Sequence, residues 1–350
     1  MSASNVLRLL RDALARHGEK LELTSSDVIK IRPSANDTGS INIGDGSYDM
    51  DIKAFLGGTS KYILLDVGNS RMQLEDVDVL LGDNDHIDFG DGNDVRLKWN
   101  GTYLEAGPAS GMWAGAPSPA DPRYHAIAHD FFDDFYAKPL DDAQDKWLEV
   151  DDAGTGTNSI ADSAGGVGTV VTAAADNDYH AISSIGESFL FASGKKLWFE
   201  ARFKVAEANT NESAWWFGLT DTLTTGGLQA HAAGPLASYD GALIWKDEGT
   251  MSIDFETSNA GTQATAAADG GTFVTNTWTT VGFYFDGTAT TSTITPYYNV
   301  AGGSALTAGT AKNITLAGLE EMHLVAGIKA GPSGGAETLQ IDYIKCVQLR

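Results

Sequence analysis

At 350 residues the chain is longer than one hydrophobic core usually serves, since single cores stop growing at about 250 to 300 residues, so two domains are expected. Against 23 Lys and Arg stand 47 Asp and Glu, a formal net charge of −24 that repels a nucleic-acid backbone and excludes DNA and RNA as partners. The single cysteine, Cys346, excludes an intramolecular disulfide, and no apolar run reaches the roughly 18 residues of a membrane-spanning helix.

In chain order, Asn5 to His17 reads as the one helix: Val6, Leu9, Leu10 and Leu14 recur at three- and four-residue steps, and Gly18 ends it. Charges recur every few positions here, where a signal peptide would carry an apolar core, so synthesis in a cytoplasm is expected. The Leu9, Leu10 and Leu14 stripe needs a partner surface, because a lone helix of this length is marginal in water. Residues 1–19 are therefore an arm, and 20–107, with runs such as Ile29 and Ile31 or Val95, Leu97 and Trp99, a small β domain. Within it INIGDGSYDMDIKAFLG (41–57) is echoed by IDFGDGNDVRLKWNG (87–101), two hairpins turning on Gly-Asp-Gly. Residues 81–97 look like a calcium-binding β-roll nonapeptide, but Gly82 and Gly90 are one residue too close and no third copy follows, so turn chemistry explains them better.

Residues 108–128 lie in a Gly-, Pro-, Ala- and Ser-rich stretch without periodicity and are expected to be an inter-domain linker. Beyond them, 129–350 carries strand after strand, the clearest being KKLWFEARFKV, with Leu197, Phe199, Ala201, Phe203 and Val205 on one face. Val281, Phe283 and Phe285 repeat the scheme, as do Leu324, Ala326 and Ile328, which describes an antiparallel sandwich. Cys346, inside the strand-like run 339–349, is expected to be a buried inert thiol. His125 and His129 fall where linker meets strand, so their i, i+4 spacing is accidental, and the acidic EVDD at 149–152 reads as a solvated turn. Trp198, Trp215, Trp216 and Trp245 suit either a sandwich core or sugar stacking; Trp215, Trp216 and Trp245 are the glycan-binding candidates.

Four ordered segments, HDFFDDF at 129–135, LWFEARFKV, TWTTVGFYFDG at 277–287 and LQIDYIKCVQL at 339–349, together resemble the concanavalin A-like family, notably its laminin-G-like and glucanase branches. The resemblance implies an all-β chain: a small N-terminal β domain with one helix, then an antiparallel concanavalin A-like jelly-roll sandwich. In the glucanases an E-x-D-x-x-E motif follows the "FEAR" strand, whereas AWWFGLTDTLTTGG (214–227) offers only Asp221, so no enzyme is expected. The family's calcium site maps onto Asp133, Asp134 and Asp342, making calcium the one cofactor to expect, though none is required. The helix, the hairpins and the jelly-roll together resemble virion structural proteins of tailed bacteriophages. That implies a homotrimer decorating the outside of a capsid, with the major capsid protein and itself as partners, no membrane, and Leu9, Leu10 and Leu14 as capsid contacts. The alternative is a glycan-binding adhesin on a tail or capsid fibre, with host-surface glycans as partners; a degenerate glycosidase ranks third.

Overall fold

The computed structural model describes residues 84–89, 95–108, 111–135, 146–152, 156–161, 165–222, 234–288, 290–300 and 306–350, and the backbone of three strands before them. The chain divides into two compact units, 1–80 and 81–350. In the first, β1 (Ile52–Phe55), β2 (Tyr62–Asp66) and β3 (Arg71–Glu75) form an antiparallel meander. The expected helix, with Leu9, Leu10 and Leu14, and both Gly-Asp-Gly turns lie outside the described residues.

The second unit opens with a three-stranded sheet of β4 (His86–Phe89), β5 (Val95–Trp99) and β6 (Leu104–Gly107). β4 and β5 are the hairpin expected over 87–101, and the Arg96 guanidinium grips Asp88 through two hydrogen bonds of 2.7 and 2.9 Å. Asp88 thus has a cation partner on the facing strand of its own hairpin. After one helical turn, α1 (Tyr124–Ile127), the sandwich begins. Its strands in chain order are β7 (Ala128–Asp133), β8 (Trp147–Asp151), β9 (Thr157–Ala161), β10 (Val167–Val171), β11 (Tyr179–Ser184), β12 (Leu197–Ala206), β13 (Ala214–Thr220) and β14 (Gly241–Lys246). There follow β15 (Asp254–Asn259), β16 (Thr262–Ala266), β17 (Thr279–Phe285), β18 (Thr291–Asn299), β19 (Thr307–Ala308), β20 (Lys312–Thr315), β21 (His323–Lys329) and β22 (Thr338–Leu349).

These make two antiparallel sheets. One has nine strands, in the order β19-β18-β17-β12-β22-β10-β9, with β20 beside β18 and β7 beside β22; the other has seven, β16-β15-β14-β13-β21-β11-β8. Crossovers such as β17-β12-β22-β10 and β13-β21-β11-β8 interrupt the sequential runs, with the closing strand β22 in the middle of its sheet, so this is a jelly-roll and not a meander. Leu197, Phe199, Ala201, Phe203 and Val205 of β12 are all fully buried, facing Trp215, Phe217 and Leu219 of β13 across the core. Phe203 stacks on Phe217 with ring centroids 4.2 Å apart. Each such side chain adds about 1.5 to 3 kcal/mol by leaving water. Cys346 is buried among them, and burial pushes its thiol well above the usual range, which keeps it unreactive.

Two features differ from the pattern in the sequence. Trp198 lies on the outward face of β12 yet is wholly buried, because residues 111–128 of the expected linker do not hang free. They lie along the nine-stranded sheet: the Trp113 indole donates to Glu200 at 2.6 Å, the Lys345 ammonium sits 3.9 Å from the Trp113 ring centre, and Tyr124, Ala128, Trp198 and Val347 pack together. Gly282 makes this seat possible, since a Cβ there would meet the Met112 sulfur at 2.7 Å. The seven-stranded sheet carries a second outward cluster, in which Trp216 and Trp245 face each other across β13 and β14 with Tyr239, Leu243 and Val325 around them. Gly327, opposite Trp216, lets that indole lie flat, because a Cβ would stand 2.1 Å from its ring.

Candidate metal centre

The site forms at the β8 edge of the seven-stranded sheet. Alternate residues of a strand share a face, so Trp147, Glu149 and Asp151 point the same way. The register sets Glu149 opposite Ile182 and Asp151 opposite His180. Trp147 and Ile182 fill the core, and the two carboxylates continue that face outward, where both residues are exposed.

His180 is completely enclosed, with Nε2 2.6 Å from Oε1 of Glu149. The pair is close, yet neither ring nitrogen makes a hydrogen bond of acceptable geometry. Nδ1 is pressed against Gly156, where a Cβ would lie only 2.1 Å away. One ligating atom from each of Glu149, Asp151 and His180 lies within 4.8 Å of the other two, the one such group among the described residues.

Two further carboxylates adjoin. Asp178, only 7% exposed, accepts the backbone N–H of Ala173 and is hydrogen-bonded to Asp152. Burial, and then the Asp152 carboxyl, push Asp178 up to about 6, so near neutral pH like charges crowd this corner. A buried ring nitrogen without a partner costs about 1 to 3 kcal/mol. A divalent cation relieves both strains: it takes the lone pair of a neutral imidazole and balances the carboxylates. The donor set therefore fits a cation. Carboxylate oxygens suit calcium, and the imidazole nitrogen adds affinity for manganese or zinc.

The residues expected to hold calcium are placed differently. Asp133 accepts the Trp147 indole N–H at 2.7 Å and the Phe135 backbone N–H at 2.9 Å, so both oxygens are engaged in fixing the end of β7. Asp342 is salt-bridged to Arg202, whose guanidinium lies 4.8 Å from the Trp278 ring centre. The register slips between Arg202 and Phe203, leaving Asp342 as the extra residue of a β-bulge that aims it along the outer face. Asp133, Asp134 and Asp342 thus form no ligand group.

Of the glycan candidates, Trp215 points into the core and is fully buried; Trp216 and Trp245, on the outer face, are 2% and 7% exposed. None presents a ring face for a sugar to stack on. His129 stacks on Phe189, its Nε2 2.9 Å from the Ser188 carbonyl, while His125 stands exposed, so the two are not a ligand pair.

The sequence reading passed over EVDD as a turn. The signal was present: Glu-x-Asp on a strand and Asp-x-His at 178–180 are two same-face pairs. Missing was the register that brings β8 against β11, nearly thirty residues on.

No family model and no curated protein matches the chain. Among solved structures, a protein of unknown function from Shewanella oneidensis MR-1 is similar at 14% identity and a TM-score of 0.43, covering 67% of this chain and 95% of that one. The basic winged bean lectin, solved with Tn-antigen, is similar at 11% identity and a TM-score of 0.44, covering 63% and 99%. The exoplasmic/lumenal domain of VIP36, in a Ca2+/Man-bound form, follows at 13% and 0.40, covering 62% and 88%. The jelly-roll assignment rests on the strand order and register described above.

Proposed function

We propose that the jelly-roll is a non-enzymatic, cation-dependent binding module with a surface glycan as its ligand. The observation that carries this is His180, buried without a hydrogen bond at either ring nitrogen and faced by the Glu149 and Asp151 carboxylates. Calcium or manganese held there keeps open positions on the exposed side of Glu149 and Asp151, and sugar hydroxyls are hard oxygen donors suited to fill them. A non-catalytic role is supported by β13, which carries no carboxylate; Asp221, just beyond it, accepts the Asp240 N–H at 2.7 Å and the Thr222 hydroxyl at 3.1 Å. A retaining glycosidase needs two carboxyl groups about 5 to 5.5 Å apart.

The test is titration of the chelator-stripped full chain with calcium and with manganese, followed by a glycan array with and without chelator. Saturable cation binding that Glu149→Gln weakens at least tenfold, with cation-dependent glycan capture, is the expected result. Cation binding that the variant leaves unchanged refutes the proposal.

A second reading, carried by the likeness of the N-terminal hairpins to tailed-phage head proteins, places this module on a capsid exterior. There the chain is a homotrimeric decoration protein bound to the major capsid protein through its first residues. Copy number per purified particle tests it: hundreds of copies are expected, and a dozen or fewer would place the protein on a tail or vertex instead.

A further inference from the structure

A second recess lies on the other sheet. Between the 108–124 segment and strand β7, the outer face of the nine-stranded sheet holds a groove of about 530 Å3, within the roughly 300 to 1,000 Å3 range of small-molecule sites. Its floor is set by register: Phe132 stands beside Lys345 and Asp130 beside Val347, all on the outward face of β7 and β22. Trp113 and Tyr124 form the opposite wall.

The groove combines three kinds of contact. Phe132 is the most exposed large apolar residue of the described chain, at 48%, and its ring lies open beside Tyr343, with centroids 6.4 Å apart. The Lys345 ammonium lies over the Trp113 ring without a direct ion pair or hydrogen bond, while neighbouring Glu200, which accepts from Trp113 and Tyr343 at 2.6 Å each, and Asp130 attract it from further off. The Asp130 carboxylate, at the rim, has exposed His125 at 4.0 Å as its ion-pair contact. An aromatic face, a half-buried cation without a direct ion pair and an accessible acceptor match a ring with an apolar face, a carboxylate and hydroxyl groups. Burial lowers the proton affinity of Lys345, and the Glu200 and Asp130 carboxylates offset this only in part.

We infer that this groove is a subsite for an acidic sugar of the uronic-acid type, its carboxylate on Lys345, its apolar ring face on Phe132 and a hydroxyl donating to Asp130. The inference rests on the reading of the jelly-roll as a glycan-binding module, but uses the opposite sheet and no metal ligand. The overall negative charge makes it selective: a polyanion is repelled except where Lys345 receives it, so binding weakens with salt less than contact with a basic patch would.

The experiment is calorimetric titration of the full chain with trigalacturonate and with the matching neutral trigalactoside, with and without chelator. The acidic probe is expected to bind about tenfold or more tighter, a charge-assisted contact supplying that margin. Lys345→Met, which keeps the stem over Trp113, abolishes the preference, Lys345→Arg retains it, and Phe132→Ala weakens both probes; unchanged melting of each variant excludes misfolding. Equal affinity for the two probes, an indifferent Lys345→Met, or equally tight Lys345-dependent capture of an apolar peptide carboxylate would overturn the inference. Chelator abolishing all array binding while trigalacturonate still binds supports both readings, with the metal centre and this groove as separate sugar sites. Cation-dependent array binding with no trigalacturonate binding sinks the groove alone; trigalacturonate binding with no cation effect anywhere sinks the metal reading alone.

Discussion

Asp178→Asn is the sharpest test of the crowded corner beside His180. The folded chain holds Asp178 up to about 6, against 3.8 for a free carboxyl, first by burial and then through Asp152. Below 3.8 the group is protonated folded or unfolded, and the fold bears no penalty. As the pH rises from 3.8 towards 6 the unfolded chain ionises first and the fold loses stability, the loss being complete above 6. At 1.36 kcal/mol per tenfold change in proton affinity the ceiling is about 3 kcal/mol, and water around exposed Asp152 reduces it to about 1 to 2. Asparagine keeps the acceptor for the Ala173 N–H and removes the charge. In chelator at pH 7 the variant should therefore melt roughly 3 to 6 °C above wild type, with no difference near pH 4. Saturating calcium should reverse the order: at a hundredfold excess over Kd a cation adds about 2.7 kcal/mol, and the variant, short of one negative charge, gains less. Melting curves followed by circular dichroism across this pH range decide it. A variant that melts below wild type at pH 7 in chelator would show the carboxylate to be a stabilising acceptor and refute the argument.

Three further outcomes are expected. Gly156→Ala drives a Cβ against the His180 ring and should abolish cation binding in titration while the aromatic core keeps its near-ultraviolet circular dichroism. Trp216→Ala should cost about 3 to 5 kcal/mol of stability in denaturant unfolding, yet leave the glycan affinity of the folded fraction unchanged, because the indole is covered. Leu10→Asp should lower particle occupancy without moving the melting of free protein; normal occupancy would assign the leucine stripe to its own domain.

How much of this was legible depended on whether a strand's faces met the core or something else. Period-2 alternation located β12, β17 and β21, because their inward residues answer only to the opposite sheet. The same rule put Trp198 on the correct, outer face but could not tell that this face is covered, since the covering Gly- and Pro-rich segment has no periodicity to announce itself. It was silent on the metal centre for another reason: Glu149 and Asp151 come from one strand and His180 from another, and register between distant strands is set by the whole sandwich. The calcium candidates are instead held by other partners, Asp133 by the Trp147 indole and Asp342 by Arg202, pairings between distant strands that no local pattern announces.

The β-bulge at Asp342 explains how one strand serves two purposes. Before it, Leu339 and Ile341 face the core; after it, Ile344 and Cys346 do, so the parity of β22 changes at Asp342. With the register restored, Lys345 and Val347 fall on the outer face beside Phe132 and Asp130, opposite the groove wall. Without the extra residue Lys345 would point inward among Phe199 and Phe283, where an ammonium is costly to bury. The groove therefore depends on a backbone irregularity that packing alone does not require, whereas the metal centre uses strands that are regular but run past the core. Both are departures from the most stable arrangement, an ammonium without a direct ion pair in one and crowded carboxylates in the other. Such local costs persist in folded proteins where a ligand relieves them.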